Sequence, residues 1–121
     1  MTQEDRELLL KDLCARLPYG VKTSNGYGIL ELTPRTDITY IINDGDIPFL
    51  RSISSMTEKE RKELMKFGAI TNLENGEVID VSCVGFENHA AVQDYLNAHH
   101  FDYRGLIEKG LALEAPEGMY K

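Results

Sequence analysis

Cysteine is scarce in this chain, with two residues, Cys14 and Cys83, among 121. Neither stands in a C-x-x-C spacing, so the pair reads as buried free thiols in a reducing compartment, and a disulfide scaffold or a cysteine-based zinc site is excluded. Proline is scarce as well, with four residues; together with 42% hydrophobic and 27% charged residues this excludes a disordered or fibrous chain. No apolar run approaches the roughly 20 residues that span a bilayer. The opening MTQEDRELLLKDL is charged where a signal peptide needs an apolar core, so the expected location is cytoplasmic, with no membrane contact. Positive charge is also short: 13 Lys and Arg against 20 Asp and Glu give a net charge of −7. That sign argues against a broad phosphate-tracking surface, because nucleic-acid affinity draws on Lys and Arg displacing counterions. Phosphate-cradling loops are missing too. The segments NGYG and NDGD lack the glycine spacing and the following Lys-Ser/Thr, and Ser54 and Ser55 have no G-x-S-x-G surroundings. No motif calls for a cofactor.

What is present is periodicity. A chain of 121 residues suits one domain, residues 1–121, with its own core. Residues 3–17 predict an amphipathic helix capped by Thr2, with Asp5 in the capping-box place. Its stripe runs through Leu9, Leu10, Leu13, Cys14 and Leu17, and Pro18 ends it. From residue 19 to 53 the period falls to two. Asn25-Gly26 predicts a hairpin, and Ile38, Tyr40 and Ile42, alternating with Asp37, Thr39 and Ile41, predict a further strand. Pro48 lacks an N–H and fits an edge or the start of a strand. Thr57 with Glu60 marks a short charged helix ending near Gly68, and Asn75-Gly76 marks another turn. Ile79, Val81 and Cys83 form a last clear strand. The strands are too short and too many for a flat sheet in so small a chain, so they should curl into a small barrel or pack under helices.

The stretch LNAHHFDYRG, residues 96–105, concentrates the chemistry-bearing side chains. Asn88 is the expected N-cap of a helix reaching His99, with Val92, Tyr95, Leu96 and His99 on one face. Asp102 would cap a second short helix at residues 103–109, with Phe101 and Leu106 as a hydrophobic staple. A metal site is disfavoured. On a continuous helix His89 and His100 lie roughly 16 Å apart, and the adjacent His99 and His100 point about 100° apart. Acid–base catalysis by His100, oriented by Asp102, needs only those two residues and a pocket. The favoured reading is structural: a capped corner that ties down the C-terminal tail. In that tail Leu111 and Leu113 suit a short strand, while Met119 and Tyr120 place apolar area that must dock on the body or on another subunit.

The run LNAHHFDYRGLIEKGLALEAPEGMYK, together with the N-terminal helix, LPYGVK and SSMTEKE, resembles a family of small uncharacterised proteins of gut Bacteroidetes and their phages or mobile elements. Some members are described as having an SH3-like β-barrel. The resemblance implies an α+β fold, a small SH3-like curled antiparallel sheet or barrel with N-terminal, middle and C-terminal helices. It carries no activity. The expected function is a non-enzymatic interaction module with a protein partner. Exposed aromatics would make the contact, among them Tyr19, Tyr27, Tyr40 and Phe49, with Arg104, Met119 and Tyr120 near the tail. Three alternatives stand behind it: a nucleic-acid-associated protein using Arg104 and Lys109, an acidic mimic of DNA, and a small enzyme built on His100 and Asp102.

Overall fold

The computed structural model describes residues 1–83 and 86–120. Helix α1 (Gln3–Arg16) begins where Thr2 and Asp5 exchange side-chain and backbone hydrogen bonds, the capping box expected from the sequence. Its buried face differs from the expected stripe. Leu9, Asp12, Leu13 and Arg16 are buried, whereas Leu10 and Cys14 are exposed. The expectation of a buried Cys14 is therefore corrected: the helix is rotated to bring the Asp12–Arg16 ion pair inward in place of the Leu10–Cys14 edge.

After a 3₁₀ turn at Leu17–Tyr19, strands β1 (Lys22–Ser24) and β2 (Ile29–Glu31) form the hairpin, paired antiparallel. Asn25 holds its loop by accepting from the N–H groups of Tyr27 and Gly28. Residues 38–42 are not a strand. They lie in helix α2 (Ile38–Asn43), because Asp37 accepts from the Tyr40 N–H as an N-cap and Ile38, Ile41 and Ile42 fall together on the buried side. The spacing of Ile38, Tyr40 and Ile42 fits both periods, and the cap decides between them. Strand β3 (Ile47–Leu50) then runs between β1 and the tail strand, so of the two places expected for Pro48 it takes the start of a strand and not a sheet edge. The missing N–H is tolerated because the tail pairs only with Phe49 and Leu50, beyond the proline.

A second 3₁₀ turn (Ile53–Ser55) leads to helix α3 (Glu58–Lys66), which opens with the expected Thr57–Glu60 capping box. Strands β4 (Ala69–Glu74) and β5 (Glu77–Cys83) form a second hairpin around Asn75-Gly76, both at positive φ. A bulge between Asn72 and Leu73 leaves Ile79 opposite no partner and shifts the side-chain parity. Val78 is therefore buried and Ile79 exposed, although alternation alone put Ile79 on the inner face with Val81. Helix α4 (Phe86–Ala98) starts two residues before Asn88, which lies within its first turn and is not its cap. Residues 103–109 are turns and bends, not a helix. Asp102 still accepts from the backbone N–H groups of Leu106 and Ile107, a cap serving one turn. Phe101 and Leu106 belong to different apolar clusters and make no staple. Strand β6 (Leu113–Glu114) closes the tail, parallel to β3.

The fold is α+β. Its strands form a four-stranded sheet, β2-β1-β3-β6, and a separate two-stranded one, β4-β5; among the described residues they do not close into a barrel. Two apolar clusters follow. Leu9, Leu13, Ile41, Leu50 and Leu106 pack between α1, α2 and the larger sheet, and Leu64, Val78, Leu96 and Phe101 pack among α3, the small hairpin and α4.

Buried charge joins the two. The Arg16 guanidinium grips Asp12 through two hydrogen bonds of 2.9 and 3.1 Å and donates to the Phe101 carbonyl at 2.6 Å. Arg104 donates to the same Asp12 carboxylate at 2.8 Å, and Tyr103 stacks beneath both guanidinium groups. One residue along, the Arg51 N–H donates to the His100 carbonyl and the Asp102 N–H donates to the Arg51 carbonyl. Asp12→Ala would leave two cations facing each other without their shared counter-ion, and is expected to lower unfolding free energy by about 3–5 kcal/mol. Arg104→Leu, which spares the Asp12–Arg16 fork, should cost less. Urea unfolding midpoints of the two variants check this order, and equal losses would refute it.

Candidate functional site

The LNAHHFDYRG segment is an architectural corner. His100 takes φ +64° in the left-handed region directly after α4, the His100 N–H donates to the Asn97 carbonyl, and the Phe101 N–H donates to the Leu96 carbonyl. These are the two bonds of a Schellman helix end, with histidine where glycine is usual. The ring is buried and stacks on Tyr120 with centroids 3.6 Å apart, and its Nδ1 has no hydrogen-bond partner among the described residues. Both Asp102 oxygens are taken by backbone N–H groups, so Asp102 does not orient His100. His99, half-exposed, stacks on Tyr95 and approaches Glu60 at 3.5 Å.

The tail is tied down mainly by β1 and β3, and the corner adds the His100 ring beneath Tyr120. The Tyr120 hydroxyl accepts from the Lys22 N–H at 2.9 Å and donates to the Phe49 carbonyl at 2.6 Å, and the Lys22 ammonium donates to the Met119 carbonyl. Burial pushes that hydroxyl up to about 12, keeping it a donor. Four of the expected contact residues are thereby placed in the body. Phe49 is half-buried under the tail, Arg104 is bound to Asp12, and Met119 and Tyr120 are docked on β1.

Between tail and α3 lies a cleft of about 630 Å³, lined by Arg51, Glu60, His99, Glu114, Glu117 and Tyr120 among others. Its strongest charges satisfy each other. Arg51 forks onto Glu60 with two bonds of 2.8 Å while stacking on Phe101. Burial alone would raise the Glu60 pKa, but the Arg51 fork and the Thr57 N–H outweigh it and hold the carboxyl near 2.

A second concavity, about 420 Å³, lies where the β1–β2 hairpin meets the end of α2. Tyr27, of the sequence candidates, is here, 98% exposed, with Tyr40 65% exposed. Ile29 and Leu30 of β2 line it as well, both exposed, on a strand with no partner on its outer side among the described residues. Asp44 and Asp46 stand at the far end. Gly45, at φ +83°, terminates α2: its N–H donates to the Ile42 carbonyl and the Asp46 N–H donates to the Ile41 carbonyl, which turns the chain inward and buries Asp46 to 3% exposure. Asp46 Oδ2 lies 3.4 Å from the Thr23 hydroxyl, and Oδ1 has no hydrogen-bond partner among the described residues. Loss of hydration, then the neighbouring Asp44, raises the Asp46 pKa. Sequence reading missed Asp46, since its burial depends on the turn that Gly45 permits; Tyr27 was visible as an aromatic between two turns.

The Cys83 Sγ lies 3.3 Å from His89 Nδ1, a pairing that the sequence does not announce, but among the described residues no set of three His, Cys, Asp or Glu side chains is placed to hold a metal. The small hairpin exposes Ile70, Leu73 and Ile79, and the Thr71 hydroxyl of the same hairpin is buried with no hydrogen-bond partner among the described residues. No helix of the described residues is long and apolar enough to cross a membrane. In comparisons with protein-family models, curated proteins and solved structures, the chain matches none.

Two consequences of the corner are measurable. Burial, reinforced by the positive charge of Arg16, His99, Arg51 and Lys22, lowers the His100 pKa from 6.5 to about 4. The unfolded chain thus takes up a proton that the folded chain refuses, so stability is whole above pH 6.5 and falls as pH drops through that window toward 4. His100→Asn, which tolerates left-handed φ, should flatten this slope in thermal unfolding followed by pH, while the loss tied to Glu60, between pH 4.5 and about 2, persists. Tyr120→Phe strands the Lys22 N–H and the Phe49 carbonyl and should cost about 1–3 kcal/mol in urea unfolding.

Proposed function

We propose that the protein is a non-enzymatic interaction module that binds a protein partner through the groove between the β1–β2 hairpin and the end of α2. The observation that carries this reading is the pairing of two solvent-facing tyrosines with an open sheet edge: Tyr27 and Tyr40 flank Ile29 and Leu30 of β2, and none of these side chains is needed to fill the core. Exposed aromatics are the side chains that most often anchor protein interfaces, since they bury large area for little lost rotamer freedom. Their exposure here is therefore a cost to solubility that binding offsets.

The catalytic alternative has less support, because His100 is enclosed and Asp102 is occupied by backbone donors. The nucleic-acid alternative also has less, since Arg104 is held against the buried Asp12 and residues 103–109 form no helix to enter a groove. The phage or mobile-element setting implied by the C-terminal resemblance belongs to this reading as an expectation, as does an intracellular location.

The tail, which completes the sheet and covers the first cluster, is the wrong segment to delete in a test, because its removal exposes Leu50 and leaves β3 unpaired on one side. The test is affinity capture from the native host lysate with the intact chain and a Tyr27→Ser/Tyr40→Ser variant, identified by mass spectrometry. A protein retained by the first and lost by the second supports the reading, provided the melting temperatures agree within about 4 °C, as expected for exposed positions. Equal retention by both chains would refute the groove as the contact surface.

A further inference from the structure

We propose that the Tyr27–Tyr40 groove takes an extended basic peptide, which adds as a strand to the free edge of β2 and delivers a lysine or arginine side chain to Asp44 and Asp46. The inference deepens the interaction reading and rests on it.

The geometry begins with the ladder. The Leu32 N–H donates to the Val21 carbonyl at 2.8 Å, so Val21 and Leu32 are a hydrogen-bonded pair; two positions along, Thr23 and Leu30 are the next. Leu30 thus spends its backbone groups on β1, and Ile29 and Glu31 direct theirs outward. An incoming strand finds free backbone donors and acceptors at these two residues, which is the basis of strand addition in peptide recognition. Natural edges are usually guarded by charge, proline or a bulge; here Glu31 is the one charged residue of β2, and Ile29 and Leu30 are bare.

The charge of the ligand follows from the end of α2. The last carbonyls of α2, those of Tyr40, Ile41 and Ile42, are capped by the Asp44, Asp46 and Gly45 N–H groups, so the charge of this helix end comes from its side chains. These are two carboxylates, Asp44 and Asp46, and Asp46 is buried with one oxygen lacking any partner among the described residues. A buried acceptor without a donor is costly, and an ammonium or guanidinium supplies both the missing hydrogen bond and the missing charge. The nearest cation on β1 is committed elsewhere: Lys22 donates to the Met119 carbonyl and lies over the Tyr120 ring. Tyr27 and Tyr40 complete the fit, since aromatic faces attract cations and shelter the aliphatic stem of a long basic side chain. The other cleft makes a useful contrast. Its arginine and glutamate are already paired, so it has no comparable demand for a ligand charge.

The experiment uses the intact chain and short fluorescein-labelled peptides of alternating valine with lysine, glutamate or serine. Fluorescence anisotropy should show the lysine peptide binding about tenfold or more tightly than the serine peptide, and the glutamate peptide not binding, with affinity falling as salt rises. Asp44→Asn and Asp46→Asn should each weaken the lysine peptide at least about fivefold, and Asp44→Asn, at an exposed position, guards against a folding artefact. Amide shifts in nuclear magnetic resonance should concentrate at Ile29, Glu31 and residues 40–46. Equal binding of all three peptides, no binding at millimolar concentration, or shifts confined to the small hairpin or to the tail cleft would each overturn the proposal. If the lysine peptide fails while the Tyr27→Ser/Tyr40→Ser variant still loses its captured protein, the basic ligand is wrong and the interaction reading stands. If neither effect is seen, both fall.

Discussion

One carboxylate organises this protein. Asp12 is fully buried in the first helix, and both of its charge partners are arginines whose other contacts lie far along the chain. Arg16 reaches the Phe101 carbonyl and Arg104 returns from beyond the corner, so a single acid fixes the N-terminal helix against the segment that follows α4. The cost of dehydrating three charges is offset only because the geometry is close: a two-bond fork, a third charge-assisted bond and an aromatic face beneath the guanidinium groups. An apolar seam of the same volume would hold as well, but it would not fix rotation. The rotation of α1 about its axis, which turns Leu10 and Cys14 to solvent, follows from where Asp12 must sit.

Around that constraint, the molecule separates polar work from apolar work. The two apolar clusters are each ordinary, and the residues between them carry the specificity: Arg51 pinned by Glu60 and bridged to the corner backbone, and His100 in a left-handed turn beneath Tyr120. The groove at the other end of the larger sheet has the opposite character. There the charges are of one sign, and the apolar side chains face water. Stability is concentrated on the side of the tail, and chemical availability on the side of β2. This is the usual division between a rigid scaffold and the loops it presents.

The parts of the fold legible in the sequence were those with a local cause. Thr2 with Asp5, Thr57 with Glu60, and the Asn-Gly turns each state their structure within four residues, and each appears as expected. Where two periods fit the same residues, the sequence alone misled. Ile38, Tyr40 and Ile42 alternate like a strand, and only the Asp37 cap made them a helix. The bulge that turned Ile79 outward and the interior place of Pro48 are set by partners elsewhere in the chain, which no window of residues contains. In the candidate groove, Tyr27 was legible because an aromatic beside a turn has little else to do; Asp46 was not, since its burial is a tertiary outcome. The histidine pair drew attention by residue type, whereas its backbone role appears only once φ at His100 is known.

The tail has a consequence for how the chain is made. Strand β6 and Tyr120 contact β3 and β1, 64 to 98 residues earlier, and Leu106, Leu111 and Ala112 fill the first cluster from the same late segment. During synthesis β3 therefore waits with one side open until β6 has emerged, while β2 at the opposite edge has no outer partner among the described residues. A nascent chain of this topology presents two adhesive edges at once, and pairings so distant in sequence slow folding. Throughout elongation the hairpin and helices can form, yet the sheet acquires its final strand only when translation has passed Glu114.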